Sequence, residues 1–354
     1  MHQKMHTENK KYAMKHAFII GLSVLAVMVF AGAISLNNVT GNSAQPEAFD
    51  PNTVPNLKVA FAGDFGRNPN TRAVLELIKA QEAELLVGLG DLDYNFRPAD
   101  WMNQINATLG EDFPLVSSVG NHDDAQWENF YKPLFRERYE RTPDLSCAGE
   151  IGIDEVCTYK GLFLVLSGAG TLGEEPEVFL QEQLNQNQSV WRVCGWHKNQ
   201  NAMQLGTKRD EVGWAPYEVC RTEGAIIATG HEHSYQRTRT LIDMEMQVLD
   251  PSFPEANQVR VSEGATFAFV SGIGGQSIRN QDRCLPAEPP YGCDNVWASV
   301  YTEDQGATFG VLFITFNVDD DPRKAIGEFI NIEGEVIDRF EIFNQVNMPE
   351  TSEE

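Results

Sequence analysis

From residue 57 onward one local theme recurs five times. A short aliphatic or β-branched run stops abruptly at glycine, or just after one, and at a polar residue able to hold a cation or a proton. Residues 58–63 stop at Asp64, 85–90 at Asp91, 115–120 at Asn121 and His122, 190–196 at His197, and 225–230 at His231. Runs this short, apolar without alternation, read as strands buried on both faces. Between the first two, Ala73, Val74, Leu77 and Ile78 share one helical face, which predicts a helix over residues 70–83 capped by Asn70 or Thr71. Residues 98–109 and 176–186 likewise read as helices. Strand, helix and strand at about 30-residue spacing is the βαβ unit of a layered α/β domain, whose ligands gather beyond the carboxyl ends of the strands.

The second half carries further strand-like runs at residues 267–275, 307–317, 325–332 and 335–343, with few helices between them. They predict a second sheet packed on the first within one domain covering residues 57–345. Residues 241–263 and 276–305 read as long loops, and loops of that length are often functional. Gly272, Gly274 and Gly275 lack the spacing of a dinucleotide fingerprint and suit a tight backbone turn near the site.

The ends differ in kind from this domain. Lys4, Lys10, Lys11 and Lys15 precede an uncharged apolar run, residues 17–36, that contains the small-residue stretch Ala31, Gly32, Ala33. Residues 1–36 therefore read as a secretory signal peptide or, at about 20 apolar residues, an uncleaved membrane anchor. Residues 37–56 read as a linker and 346–354 as an acidic tail. Either form of leader places the remainder outside the cytoplasm. All six cysteines lie there, and an even number in an oxidising compartment suggests disulfides. Nearest-neighbour pairing, one of fifteen arrangements, joins Cys147 to Cys157, Cys194 to Cys220 and Cys284 to Cys293. No C-x-x-C spacing offers a zinc-thiolate site. The net charge of −24 argues against long-range attraction to nucleic acid or anionic lipid. The oligomeric state has no signature in the sequence.

Histidine is scarce. Of seven, His2, His6 and His16 belong to the leader, and the other four, His122, His197, His231 and His233, all follow strand ends. With Asp64, Asp91, Tyr94 and Asn121 they form a list of oxygen and imidazole ligands that suits Fe, Zn or Mn. In an extended backbone His231 and His233 point the same way while Glu232 points opposite, so the pair can reach two neighbouring ions. A carboxylate such as Asp91 can bridge two cations, and a two-metal site both activates a water and neutralises a phosphoryl oxygen. No G-x-S-x-G offers a serine nucleophile.

These blocks, Gly63-Asp64-Phe65-Gly66, Gly90-Asp91-Leu92-Asp93-Tyr94, Gly120-Asn121-His122-Asp123, Gly195-Trp196-His197 and Gly230-His231-Glu232-His233, resemble in order the five motifs of calcineurin-like metallophosphoesterases. Within that superfamily they look like the purple acid phosphatases, because Gly66 stands where most members have a histidine and Tyr94 follows Asp91 by three. The resemblance implies a four-layer α/β fold, a double β-sheet sandwich flanked by helices. It also implies a first, ferric site of Asp64, Asp91, Tyr94 and His233, and a second, divalent site (Fe, Zn or Mn) of Asp91, Asn121, His197 and His231. A metal-bound hydroxide is then the nucleophile. Asn121 and His122 contact the phosphate, and His122, not itself a ligand, protonates the leaving alkoxide.

The chain departs from the family's plant members in lacking room for a preceding β-sandwich. It also lacks the additional histidines some relatives carry after the position of His197. Lys198 or Arg237 could supply positive charge instead, though each is more simply a surface or supporting residue, as are Glu232 and Asp123; the role of Asp93 stays open. The expected activity is hydrolysis of phosphate monoesters. A phosphodiesterase or nucleotide pyrophosphatase with the same metals is the alternative, and a metal-containing surface protein without turnover the alternative of another class.

Overall fold

The computed structural model describes residues 54–346. The expected leader or anchor, most of the linker and nearly all of the acidic tail fall outside that range. Among the described residues no helix is long and apolar enough to cross a membrane.

The chain runs β1 (Leu57–Ala62), α1 (Pro69–Ala80), β2 (Leu85–Gly88), α2 (Pro98–Leu109), β3 (Leu115–Ser117), α3 (Asp124–Gln126) and, after a π turn, α4 (Lys132–Arg141). It continues through β4 (Leu145–Glu150), β5 (Asp154–Tyr159), β6 (Leu162–Ser167), α5 (Pro176–Gln186), β7 (Arg192–Trp196), α6 (Ala215–Thr222), β8 (Ile226–Thr229) and β9 (Tyr235–Thr238). The remaining strands are β10 (Leu241–Asp243), β11 (Val248–Leu249), β12 (Gln258–Val261), β13 (Ala268–Ser271), β14 (Trp297–Tyr301), β15 (Gly310–Phe316), β16 (Lys324–Asn331) and β17 (Val336–Asn344).

Two large sheets result, one of seven strands in the order β12-β17-β16-β15-β1-β2-β3 and one of eight in the order β14-β9-β13-β8-β7-β6-β5-β4, while β10 and β11 pair only with each other. Alternation along the strands assigns the layers. Val59 and Phe61 of β1 and Val193 of β7 enter the core shared by both sheets, with Leu164, Phe269, Leu312 and Phe340. Ala60 and Ala62 point the other way, where α1, α2 and α4 add Val74, Ile78, Trp101, Ile105 and Phe135. Cys194 and Trp196 face α5 and α6 through Leu180, Leu184 and Tyr217. Helix, sheet, sheet, helix is the four-layer sandwich expected. Apolar faces on both sides of each sheet leave no other way to exclude water.

Several expectations need correction. The C-terminal strands do not build a second sheet of their own: β15 lies antiparallel to β1, so β15, β16 and β17 extend the first sheet. The second sheet is made instead by strands from the middle of the chain, including β4 and β5, whose mixed composition hid them, and the apolar β6, which the expectation passed over. A doubly buried apolar run fixes that a segment is a strand but not which neighbour it pairs with. Residues 241–263 and 276–305 are not wholly loops, since they contain β10, β11, β12 and β14. Helix α1 ends at Ala80 and is capped by Asn68, whose Oδ1 accepts from Thr71 N at 3.0 Å, not by Asn70 or Thr71. Pro69 at the first helical position fixes that register, because its locked φ already suits a helix.

The three nearest-neighbour disulfides are present. Cys147 and Cys157 sit directly opposite across β4 and β5, and Cys194–Cys220 fastens α6 to β7.

Candidate metal centre

The carboxyl ends of β1, β2, β3, β7 and β8 meet at one rim spanning both sheets. Gly63 N bonds Ser271 O at 2.8 Å, Asp64 N bonds Gly90 O at 3.0 Å and Gly230 N bonds His197 O at 3.1 Å, so the rim is stitched by its own backbone. Asp64, Asp91 and His231 all adopt left-handed φ, +57°, +52° and +68°. Such conformations cost of order 1–3 kcal/mol each in a non-glycine residue and concentrate where a side chain must be aimed. Two glycines make room for them. A Cβ at Gly120 would lie 2.0 Å from Asp91 N and 2.2 Å from its Oδ1, and one at Gly90 2.7 Å from His197 Nδ1.

The side chains collect in two clusters. In the first, Tyr94 Oη lies 3.0 Å from Asp64 Oδ1, 3.1 Å from Asp91 Oδ2 and 3.3 Å from His233 Nε2, which is itself 3.1 Å from Asp64 Oδ1. In the second, His197 Nε2 lies 3.2 Å from Asp91 Oδ1 and 3.1 Å from His231 Nδ1. The two carboxylate oxygens of Asp91 are thus divided between them. Donors bound side by side to one transition-metal ion at 2.0–2.2 Å stand roughly 3.0–3.4 Å apart, the spacing of both clusters. Asn121 Oδ1 is buried beside them without a hydrogen-bond partner, and a buried acceptor left unpaired is costly unless it has another use.

The electrostatics agree with a site built for cations. Burial, then the carboxylates of Asp64 and Asp91, push the Tyr94 phenol far above its usual range, so a phenolate forms only if positive charge enters the cage. Burial alone would raise the Asp91 carboxyl, but His197 outweighs it and holds the group well below the usual carboxylate range. Burial works against a charge on His197 too, yet Asp91 raises it to about 9. His231 is driven far down by burial, then by His197 and Lys208.

All eight sequence-derived site residues are therefore at this rim. The His122 ring nitrogens belong to neither cluster: its side chain is 43% exposed and its Nε2 is 4.0 Å from Asp91 Oδ2, while its ring packs on Tyr94 at 4.3 Å between centroids and its backbone N–H bonds Asp91 Oδ1 at 2.8 Å. The pairing of His231 and His233 works differently from the expectation. Residues 231–234 are bent rather than extended, and the two imidazoles go to different clusters because Glu232 N and Ser234 N turn back to the carbonyls two residues earlier.

Neither cation considered for substrate is free for it. Arg237 is buried between the sheets on Asp338, and Lys198 Nζ is held by Glu211 at 2.9 Å. Asp123 is buried and accepts from Leu92 N and Gly120 N, while Asp93 accepts from Arg97 N, so both staple site loops. Glu232 is buried and meets Arg279. Gly274 N bonds Gly63 O at 2.9 Å, the tight turn expected next to the site. Sequence reasoning missed Glu211, whose Oε2 is 2.8 Å from His231 Nε2, and Lys208, whose ammonium donates to His231 O. Both lie in the segment between β7 and α6, which has no periodicity to read.

Residues 57–235, just over half of the chain, match the family model described as calcineurin-like phosphoesterase. No curated protein matches the chain. Among solved structures the fold is similar to purple acid phosphatase PPD1 from yellow lupin (Lupinus luteus) seeds, with 15% identity and a TM-score of 0.59 over 83% of this chain. That alignment spans only 55% of the lupin chain. It is also similar to GAP50, the anchor in the inner membrane complex of Plasmodium, with 10% identity, a TM-score of 0.54, and 82% of this chain and 90% of that one covered. A third likeness is to PhoD, with 13% identity and a TM-score of 0.50 over 78% of this chain and 66% of that one.

Proposed function

Because the chain belongs to the calcineurin-like phosphoesterase family, a family of phosphoric ester hydrolases, we propose that it is an exported, two-metal hydrolase of phosphate monoesters. Asp64, Asp91, Tyr94 and His233 would hold a first, ferric ion, and Asp91, Asn121, His197 and His231 a divalent one. Two cations bound there activate a water and neutralise a phosphoryl oxygen during in-line displacement. His122, beside Asn121 and open to solvent, contacts the phosphate and donates a proton to the leaving alkoxide.

One observation carries this reading: Asp91 presents one oxygen to each donor cluster while the His122 ring nitrogens join neither. The fold alone would not carry it, since a protein described as an anchor has a similar one. Preference for monoesters is supported by the phenol in the first cluster and by the likeness to a purple acid phosphatase. Export is supported by three disulfides, which persist in oxidising compartments.

The test is kinetic. Metal-depleted protein is assayed on p-nitrophenyl phosphate and bis(p-nitrophenyl) phosphate before and after ferric and zinc ions are restored. Turnover that returns with metal and is faster on the monoester is the expected result. Faster diester cleavage would replace the monoester reading by that of a diesterase, and bound metal without turnover on either would remove the enzyme.

A further inference from the structure

The two imidazoles of the second cluster can each carry a ring proton on either nitrogen, and only one choice leaves them able to share a cation. His197 Nδ1 lies 2.7 Å from the Leu89 carbonyl, an acceptor only, so Nδ1 keeps a proton and Nε2, turned inward to Asp91, is the nitrogen whose lone pair a cation takes in place of a proton. His231 has the opposite arrangement. Its Nδ1 faces His197 Nε2 at 3.1 Å, and its outer Nε2 lies 2.8 Å from Glu211 Oε2, also an acceptor only. A proton on Nε2 of His231 therefore frees Nδ1.

Glu211 is itself fixed. Its Oε1 accepts from Lys198 Nζ at 2.9 Å, its backbone N–H reaches Asn199 O at 3.2 Å, and Asn199 Nδ2 reaches Gly230 O at 2.7 Å. Both Glu211 and Lys198 side chains are only 16% exposed. Glu211 is thus tied to the neighbours of both imidazole ligands: Lys198 follows His197, and Asn199 links it to Gly230, which precedes His231.

We propose that Glu211 is a positioning residue for the divalent site, selecting the His231 tautomer in which Nδ1 binds the ion and fixing the ring's orientation. It is not a ligand, because it meets the ring nitrogen that faces away from His197. Carboxylates behind metal-bound imidazoles raise ligand basicity, and their loss typically costs about 10–100-fold in affinity. The segment between β7 and α6 thereby acquires a role, that of closing over the back of His231. This inference rests on the two-metal reading above.

The test uses the full chain stripped of metal, the variants Glu211→Ala and Glu211→Gln, and three readouts. These are zinc affinity by calorimetry, retention of ferric iron at the Tyr94 cluster, and nitrogen NMR of the histidine rings in the metal-free protein. Expected are zinc binding about 10–100-fold weaker in Glu211→Ala, a smaller loss in Glu211→Gln, whose amide oxygen still accepts the Nε2 proton, and unchanged iron. The His231 ring should be protonated on Nε2 in the wild type and a mixture of tautomers in Glu211→Ala. Zinc affinity unchanged in Glu211→Ala, or zinc and iron lost together, overturns the role of Glu211 and leaves the two-metal reading standing. A wild-type chain that takes up only one ion overturns both.

Discussion

At the scale of single residues, the site separates holding metal from handling substrate. Asp91 touches both clusters, so Asp91→Asn should lose metal from both and reduce hydrolysis to background. His122 adds a ring nitrogen to neither, although its ring lies on Tyr94 and its backbone N–H bonds Asp91. His122→Ala should keep its metal content and lose about 10²- to 10⁴-fold in kcat, the usual worth of a general acid. Metal analysis beside turnover decides between them, and a His122→Ala protein as metal-poor as Asp91→Asn would contradict the division. Tyr94 has a spectroscopic consequence. Its phenol is so disfavoured as an anion by burial and by Asp64 and Asp91 that only a highly charged cation can deprotonate it. The iron-loaded protein should show a visible phenolate band that Tyr94→Phe abolishes.

At the scale of elements, helix α4 is joined to β5 by a buried carboxyl that belongs to neither donor cluster. Glu155 is almost fully enclosed, accepts from Gly152 N at 3.0 Å and Tyr139 Oη at 3.3 Å, and is pushed up to about 7 by burial despite those donors. The folded state therefore holds a proton that the unfolded chain, with its carboxyl near 4.5, has released. The sign follows: stability is full below about 4.5 and declines as pH rises to about 7, by about 3 kcal/mol in all. Glu155→Gln keeps an acceptor for both donors without the charge. Its melting temperature should match the wild type near pH 4.5 and exceed it near pH 8, whereas parallel profiles would place the pH dependence elsewhere. The legibility of elements follows the same physics of burial. Most strands buried on both faces, and helices opened by proline such as α2 and α5, announce themselves in the sequence, although β6 is passed over. Strand β4 does not, because a partly exposed edge carries polar residues as readily as a loop does.

At the scale of the whole molecule, two sheets must stay registered for their five strand ends to form one site. Arg237 on β9 and Asp338 on β17 join them inside the core through bonds of 2.7 and 3.0 Å, with Tyr235 Oη on the same carboxylate at 2.7 Å. Asp338→Ala would leave a buried guanidinium uncompensated and should cost about 3–5 kcal/mol, measured by denaturant unfolding. Net charge sets how substrate arrives. At −24 the molecule repels phosphate esters, so raising salt from about 0.01 to 0.15 M, which shortens the Debye length from about 30 to 8 Å, should raise kcat/KM rather than lower it. The sequence by itself determined the strand ends and the eight polar side chains placed there, because each is a local matter of apolar runs and glycines; for the cysteines it offered a nearest-neighbour pairing among fifteen, which the fold selected. Only the tertiary structure decided that β15, β16 and β17 extend the first sheet, that Arg237 is consumed between the sheets, and that Glu211 backs His231. Those are contacts between residues far apart in the chain, and no local pattern of burial or charge specifies which distant partner a strand or a carboxylate will meet.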